Sequence, residues 1–213
     1  MTRTLRIAAA QLGTVHHSDD RQQTLSTFSK KAKELGVGIC IGFGKGTDQS
    51  EYYNTCVYYH AKSGSILSQH CKVYLPGGVE SFPEPDPVNQ LEKRYFMPRD
   101  LGFHLFRVPD LTKSTIDQGE PMFGMVICDD RRWAEAWRCL GLQEVEAHSY
   151  TNSCFSVSAA RFSLYNGKYD RAGGSTIVGP DGKIIVESQT EEDEVIIADC
   201  DLDWCESGEN TNI

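Results

Sequence analysis

The spacing of hydrophobic and polar positions in the first 44 residues predicts a strand, a helix and a second strand. Residues 5–13, LRIAAAQLG, alternate and are rich in small side chains, as in a β-strand. Residues 21–36, RQQTLSTFSKKAKELG, have the helical period and end on a glycine. Residues 37–44, VGICIGFG, form a short apolar strand. The apolar side chains predicted to share the inner face of the helix are Leu25, Phe28, Ala32 and Leu35.

The remainder of the chain reads mainly as strands joined by turns. Residues 52–75 alternate on both sides of a turn at 62–65, which predicts a hairpin. Residues 76–90 contain four prolines and are therefore predicted to be a loop. Further strands are predicted at 103–110, 121–128, 149–161 and 194–205, a helix at 132–143, and a hairpin at 173–189 around Pro180, Asp181 and Gly182. Strands mixed with a few helices favour a layered α/β fold.

Length and charge restrict the classes of protein that this chain can be. At 213 residues it is expected to form one domain, residues 1–213. A net charge of -9 argues against a nucleic-acid partner, which would need a basic face. No apolar run approaches the roughly 20 residues that span a bilayer, and the N-terminus resembles a strand rather than a secretion signal. We therefore expect a cytoplasmic protein without a membrane partner.

The eight cysteines do not form a recognisable metal or disulfide framework. There is no C-x-x-C pair, and no histidine follows a cysteine at zinc-finger spacing. Most of these thiols are expected to be small buried hydrophobes. We predict no bound metal.

Cys128 stands where the predicted strand 121–128 runs into charged residues, FGMVICDDRRWAEAWR. One interpretation is a core thiol at a strand end. The other is a nucleophile, because a residue at a strand-to-helix turn is accessible and the helix dipole favours its thiolate. Arg131 and Arg132 favour the thiolate as well, whereas Asp129 and Asp130 oppose it.

Three kinds of charged residue are candidates to assist such a thiol. Arg131 and Arg132 are either solvated charges or a pair of guanidinium groups that bind a substrate carboxylate. Lys72, in CKVYLPG, is either an edge residue or a cation that stabilises an oxyanion. Glu92, in QLEKRYF, is one of 30 acidic residues. It has a role in catalysis only if it lies beside a lysine. Its carboxylate would then either position the lysine or relay a proton.

Several segments together resemble the carbon–nitrogen hydrolase (nitrilase) superfamily, most nearly its N-carbamoyl-D-amino-acid amidohydrolase branch. They occur in the family's order: LRIAAAQLG, KELGVGICIGF, YNTCVYYHAKSGSILSQHCKVYLPG, LEKRYFMPRDLGF, MVICDDRRWAEAWR, GGSTIVGPDGKII and DEVIIADCDLD. LEKRYFMPRDLGF and MVICDDRRWAEAWR are the most specific of these. The resemblance extends over most of the chain.

The resemblance implies a four-layer αββα sandwich that tends to form homodimers, and a Glu–Lys–Cys triad without metal or organic cofactor. By this analogy Cys128 is the nucleophile and Lys72 the oxyanion-stabilising cation. Glu92 corresponds to a second acidic residue near the lysine. Arg131 and Arg132 correspond to residues that bind the carboxylate of a small substrate, an N-carbamoyl amino acid or a related amide.

The chain departs from the family pattern at several places. The strand that carries the first triad glutamate, an FPE-like segment, is absent between the first helix and the next strand. A second segment is missing after Gln143, and the C-terminal extension is expected to be shortened. Tyr74 stands in place of a histidine, and Asp129 in place of the usual asparagine.

Three functional hypotheses follow from these observations. The first is an N-carbamoyl-amino-acid amidohydrolase. The second is a non-catalytic pseudoenzyme, or a truncated fragment, that lacks the triad glutamate. The third, a redox sensor, would need a resolving cysteine near Cys128. Cys139 lies eleven positions further along the predicted helix and is expected to point elsewhere.

Overall fold

The computed structural model describes residues 3–11, 21–78, 91–99, 101–111, 120–141, 153–160, 163–165, 169–171, 174–190 and 193–205. These residues form twelve strands and three α-helices, which confirms the α/β class. The strands are β1 Thr4–Gln11, β2 Ile39–Gly46, β3 Tyr52–Tyr59, β4 Ile66–Cys71, β5 Leu105–Arg107, β6 Met122–Gly124, β7 Ser156–Ser158, β8 Ser163–Tyr165, β9 Tyr169–Arg171, β10 Thr176–Val178, β11 Ile184–Glu187 and β12 Glu194–Asp201. The helices are α1 Arg21–Leu35, α2 Glu92–Tyr95 and α3 Ala134–Gly141. No helix in the described ranges is long and apolar enough to cross a bilayer.

The chain divides into two compact units. The first comprises Met1–His17, Pro109–Glu120 and Glu144–Ile213, and the second comprises Ser18–Val108 and Pro121–Gln143. All five predicted site residues belong to the second unit. That the chain is one domain stays a prediction.

The second unit is built on an antiparallel sheet with the order β2-β3-β4. The apolar face of α1 covers this sheet, where Ala32, Val57 and Tyr59 are buried and several hydrophobic side chains pack partly buried around them. The prediction that Leu35 belongs to this face is wrong, because the residue is 64% exposed. The helix ends there, the chain turns at Gly36 with φ of 65°, and Leu35 is left beyond the sheet.

The β3–β4 turn is held against α1 and fixes the register of the strand that leads to Lys72. Gly64 donates its N–H to the carbonyl of His60 at 2.8 Å. Ser29 of α1 donates its hydroxyl to the carbonyl of Gly64 at 2.7 Å. Lys72 follows β4 directly, and its backbone N–H continues the ladder by donating to the carbonyl of Asn54 of β3 at 2.8 Å.

The strand predicted at 121–128 is much shorter than expected. β6 pairs with β5 from Met122 to Gly124, opposite Arg107 and Leu105 respectively, and Met125–Ile127 continue without assigned strand structure. A 3₁₀ turn, Cys128–Arg132, then precedes α3. The thiol is therefore delivered by a turn and not by a strand that enters a helix directly.

In the first unit β1 and β12 pair antiparallel along their whole length, from Thr4 opposite Asp201 to Gln11 opposite Glu194. A second sheet has the order β11-β10-β7, and β8 pairs with β9. The residues of the buried core in this unit are Ala9, Ile177, Ile196, Ala198 and Cys200. The helix α2 and the strands β8 and β9 were not predicted, because each is three or four residues long and its sequence lacks the apolar run that marked the other short strands.

Candidate active site

Lys72 and Glu92 form a buried ion pair. The Lys72 residue is 1% exposed. Its ammonium donates to both carboxylate oxygens of Glu92 at 2.9 Å. Glu92 is the first residue of α2, and its side chain is 26% exposed. An ammonium group withdrawn from water requires such a partner, because an unpaired buried charge is strongly unfavourable. The structure therefore brings these two predicted site residues together, while their catalytic roles stay predictions.

Cys128 is the first residue of the 3₁₀ turn and has an unusual backbone conformation. Its φ is 48°, in the left-handed region that non-glycine residues rarely adopt. Such a conformation costs on the order of 1 kcal/mol and persists only where the surroundings hold it. The residue is exposed, as a nucleophile must be to meet a substrate. Strained turns of this kind cluster at functional sites, which agrees with the nucleophile hypothesis.

Asp130 holds this turn and was not identified as a site residue from the sequence. It is completely buried. One carboxylate oxygen accepts the backbone N–H groups of Val73 at 3.1 Å and Tyr74 at 2.8 Å. The other accepts the N–H of Ile127 at 3.2 Å and lies 2.9 Å from Nε2 of His70. The signal available in the sequence was an aspartate at the third position of a turn, where carboxylates commonly bond to the preceding backbone N–H groups.

Arg131 and Arg132 lie three and four positions after the thiol and are both exposed. Nε of Arg132 is 3.6 Å from a carboxylate oxygen of Asp129, and the Arg132 side chain is 74% exposed. An ion pair this long and exposed is weak, so it leaves the guanidinium able to bind another anion. The backbone carbonyl of Arg131 accepts the indole N–H of Trp137 at 2.6 Å, which ties the turn to α3. That these arginines bind a substrate carboxylate stays a prediction.

A layer of aromatic rings extends from the buried His70 to the surface beside the turn. His70 lies against Phe103 with ring centroids 5.4 Å apart. Tyr74 stacks on Phe103 at 6.2 Å and on Trp133 at 4.8 Å. Trp133 is 46% exposed. Tyr74, which stands in place of a family histidine, is therefore part of this aromatic layer, which ends beside Arg132. Neither Phe103 nor Trp133 was identified as part of the site from the sequence.

A general base for Cys128 is not found among the described residues. Within the ranges that the structure covers, the Cys128 thiol makes no hydrogen bond. Glu92 is engaged by Lys72. Glu51, another conceivable replacement for the triad glutamate, accepts a hydrogen bond from the Tyr53 hydroxyl at 2.7 Å. Residues 79–90, most of the predicted loop, and residues 142–152, around and after Gln143, lie outside the described residues.

The eight cysteines differ in their environments. All eight are thiols rather than disulfides, and Cys40 is exposed whereas Cys56, Cys71 and Cys200 are buried. A hydrogen bond from Cys56 lowers the pKa of Cys40. Burial raises the pKa of Cys154 and of Cys200 to about 11 each. In the described part of the chain, no group of three or more His, Cys, Asp and Glu side chains is arranged to hold a metal ion.

Relatives of known activity are similar to this chain at low identity. N-carbamoylputrescine amidase of Arabidopsis thaliana is 27% identical over an alignment of 219 positions, gaps included, which covers 86% of this chain and 66% of the plant protein. Omega-amidase NIT2 of Xenopus tropicalis is 24% identical over 204 residues, covering 85% of this chain and 68% of the relative. The chain thus spans about two thirds of the length of these proteins.

Solved structures confirm the nitrilase-type α/β fold. Nit3 of Saccharomyces cerevisiae, a member of branch 10 of the nitrilase superfamily, superposes with a TM-score of 0.73 at 15% identity, covering 99% of this chain and 94% of that one. A mutant amidase of Nesterenkonia sp. AN1, with the acetamide moiety of fluoroacetamide added covalently to its active-site cysteine, gives a TM-score of 0.64 at 16% identity, covering 89% of this chain and 73% of the amidase.

The sequence model of the family named carbon-nitrogen hydrolase matches residues 7–209. These residues make up nearly the whole chain of 213. The match includes both compact units and every residue of the candidate site. The protein therefore belongs to the carbon–nitrogen hydrolase family.

Proposed function

We propose that this protein hydrolyses a non-peptide carbon–nitrogen bond of an N-carbamoyl amino acid, with Cys128 as the nucleophile. The observation that supports this most strongly is the buried pair of Lys72 and Glu92, linked through Asp130 to the strained turn that exposes Cys128. A buried ammonium with a single carboxylate partner contributes no more to stability than apolar side chains of similar volume would. A role in catalysis accounts for it better, because an ammonium beside a reacting thiol provides a fixed positive charge for an oxyanion.

In the proposed reaction the thiolate of Cys128 attacks the carbonyl carbon of the ureido group. The carbonyl oxygen becomes an oxyanion, which the Lys72 ammonium stabilises, and Glu92 keeps that ammonium in place. The bond from this carbon to the amino-acid nitrogen breaks, and the nitrogen takes up a proton. Water then cleaves the S-carbamoyl thioester-like intermediate, releasing carbamic acid, which decomposes to ammonia and carbon dioxide, and regenerating the thiol.

The charges of the exposed turn favour an anionic substrate. Arg131 and Arg132 follow Cys128 closely, and a guanidinium binds a carboxylate through two parallel hydrogen bonds. The Arabidopsis relative is named for N-carbamoylputrescine, which carries an ammonium group in place of a carboxylate. Two arginines would repel such a cation, so we propose that this chain prefers the N-carbamoyl amino acid. The exposed stack of Tyr74 and Trp133 provides an apolar surface for the side chain of that substrate.

The test is turnover of matched substrates by the purified protein. Ammonia release is measured with an N-carbamoyl-D-amino acid, its L-enantiomer, N-carbamoylputrescine and a simple ω-amide. The proposal predicts hydrolysis of an N-carbamoyl amino acid, loss of activity in Cys128→Ala and unchanged activity in Cys139→Ala, the exposed thiol of α3. Arg132→Ala should raise KM for the carboxylate substrate by about tenfold or more and should not raise it for the cation. No turnover of any of the four compounds would refute the proposal.

A second candidate function, a non-catalytic member of the family, is favoured by the lack of a hydrogen-bonded base at Cys128 among the described residues. Loss of a general base typically lowers a rate by about 10²–10⁴. The non-catalytic protein would still bind the substrate. Calorimetric binding of an N-carbamoyl amino acid without ammonia release, lost in Arg132→Ala, would support this alternative.

A further inference from the structure

In the described part of the chain, Asp130 is the buried charged side chain with the most hydrogen-bond partners. The reaction proposed above assigns it no role. It is 0% exposed and is surrounded by four donors, two at each carboxylate oxygen. A buried carboxylate of this kind is stable only when its oxygens are well satisfied. Removal of any one donor or of the acceptor therefore disturbs the whole arrangement.

The four donors come from the two segments that supply the reacting groups. Ile127, the residue before the turn, immediately precedes Cys128, and its N–H donates to Asp130. The backbone N–H groups of Val73 and Tyr74 immediately follow Lys72, and His70 lies two residues before it. A single side chain thus joins the turn of the thiol to both sides of the lysine.

We propose that Asp130 is a positioning residue that fixes the Cys128 thiol relative to the Lys72 ammonium, with His70 orienting its carboxylate. This inference rests on the proposed function, because it concerns the same thiol and lysine. It assigns Asp130 no contact with substrate. Its effect is to keep Cys128 at φ of 48°, a conformation that persists only where the surrounding structure holds it.

Charge and position have opposite consequences for the thiol, which makes the proposal testable. If the negative charge of Asp130 were its main influence, removing that charge would favour the thiolate and accelerate its reactions. If position dominates, Asp130→Asn slows them, because its amide group faces N–H donors that the carboxylate accepted. Displacement of a reacting group by about 1 Å lowers a rate by up to about 10²-fold.

The experiment compares Asp130→Asn with Asp203→Asn. Asp203 is a matched control in the first unit: it also joins distant parts of the chain, accepting hydrogen bonds from the backbone and side chain of Arg3. Iodoacetamide labelling is followed by peptide mapping, with Cys40 of the same molecule as the internal reference. Steady-state kinetics with the N-carbamoyl amino acid supply kcat and KM separately.

We expect Asp130→Asn to lower the labelling rate of Cys128 relative to Cys40 by about 10-fold or more, and kcat by about 10²-fold, with KM changed less than about threefold. Asp203→Asn should lower the thermal midpoint and leave both rates unchanged. Equal or faster labelling in a folded Asp130→Asn variant would overturn the proposal. Slow labelling of Cys128 in the unaltered protein would instead count against the proposed nucleophile.

His70→Phe gives a second, milder test that decides the matter if Asp130→Asn does not fold. Phenylalanine retains the ring contact with Phe103 and removes only the donor at Nε2. The backbone donors to Asp130 stay in place. We expect the same direction of change with a smaller amplitude, a severalfold loss of Cys128 labelling and of kcat, whereas unchanged rates in the folded variant would contradict the inference.

Discussion

At the scale of single residues, the pair of Lys72 and Glu92 is asymmetric in its exposure. The Lys72 side chain is 0% exposed and the Glu92 side chain 26%. If the lysine is replaced, the remaining carboxylate can hydrate at the surface. If the glutamate is replaced, an ammonium is left buried without its partner. The two halves of one ion pair therefore contribute differently to stability.

We accordingly predict that Glu92→Ala is the more damaging substitution. It should lower the free energy of unfolding by about 3 kcal/mol, and Lys72→Met by about 1 kcal/mol or less. Urea denaturation followed by circular dichroism measures both values. The double variant, Lys72→Met with Glu92→Ala, should be more stable than Glu92→Ala alone. If Lys72→Met were the more destabilising change, the ammonium would not be as buried as described.

The thiols are predicted to react in a definite order. Cys40 is exposed, so it should be labelled by iodoacetamide faster than the buried thiols. Cys154 and Cys200 have pKa values raised to about 11 and should stay almost unlabelled at neutral pH. Peptide mapping after short exposures gives the order, and Cys40→Ser is the control for assignment. Labelling of Cys200 before Cys40 would contradict these environments.

Residue-level chemistry was only partly predictable from the sequence. The proximity of Lys72 and Glu92 followed from a family resemblance, since the intervening positions contain no periodicity that brings the two together. Asp130 was treated only as a charge that opposes the thiolate, because a sequence does not show that four donors converge on one carboxylate. The layer of Phe103, Tyr74 and Trp133 depends on long-range packing and was missed for the same reason.

At the scale of elements, two glycines differ in what surrounds them. Gly36 ends α1 with φ of 65°, and a methyl carbon added there would have no atom within 4 Å. At Gly64, with φ of 69°, an added methyl carbon would lie 2.5 Å from the carbonyl oxygen of Ser29. Both positions favour glycine through their backbone conformation. Only Gly64 is also required by the close approach of α1 to the β3–β4 turn.

The two alanine variants therefore form a matched pair. Gly36→Ala should destabilise the protein by about 1 kcal/mol through backbone strain alone. Gly64→Ala adds a clash with the backbone of α1 and should cost about 2 kcal/mol more. Thermal or urea unfolding measures the difference. Equal effects would mean that α1 is not packed against the turn as the hydrogen bond from Ser29 indicates.

The long periodic elements and several of the short strands were predicted, whereas α2, β8 and β9 were not. The helix α1, the hairpin β3–β4, the hairpin β10–β11 and the strand β12 lie where the hydrophobic pattern placed them. The strand expected at 121–128 is shorter than predicted, because an apolar run does not distinguish a paired strand from an extended segment that leads into a turn. Pairing with β5 ends at Gly124, and only the structure shows it.

At the scale of the whole molecule, three carboxyl groups on and beside β12 should contribute to stability against acid. Hydrogen bonds from Arg6 lower the pKa of Asp199, those from Arg3 lower the pKa of Asp203, and those of Thr190 lower the pKa of Glu194. A carboxyl group with a lowered pKa binds fewer protons in the folded than in the unfolded protein. Its stabilisation is complete above the ordinary pKa, near about pH 4, and is lost as the pH falls through the folded value.

We predict that the first unit loses stability as the pH falls below about 4, and that stability changes little between about pH 5 and about pH 7 through these groups. Urea unfolding at several pH values measures this dependence, followed by the fluorescence of Trp204 in a variant with Trp133→Phe and Trp137→Phe. The triple variant Asp199→Asn, Asp203→Asn and Glu194→Gln should flatten it. A pH dependence unaltered in that variant would place the responsible groups elsewhere. Homodimerisation, expected from the family, stays a prediction for the whole molecule.

The most direct test of the central claim is intact-mass spectrometry of the protein mixed with an N-carbamoyl-D-amino acid and quenched in acid within the first turnovers. If Cys128 is the nucleophile, the intact mass rises by one carbamoyl group, peptide mapping of the quenched sample finds that group on the peptide that contains Cys128, and Cys128→Ala carries none. If the base that activates the hydrolytic water is impaired, the adduct breaks down slowly and accumulates. Absence of any adduct, together with absence of ammonia release, would show that the turn at Cys128 is not a functioning nucleophile.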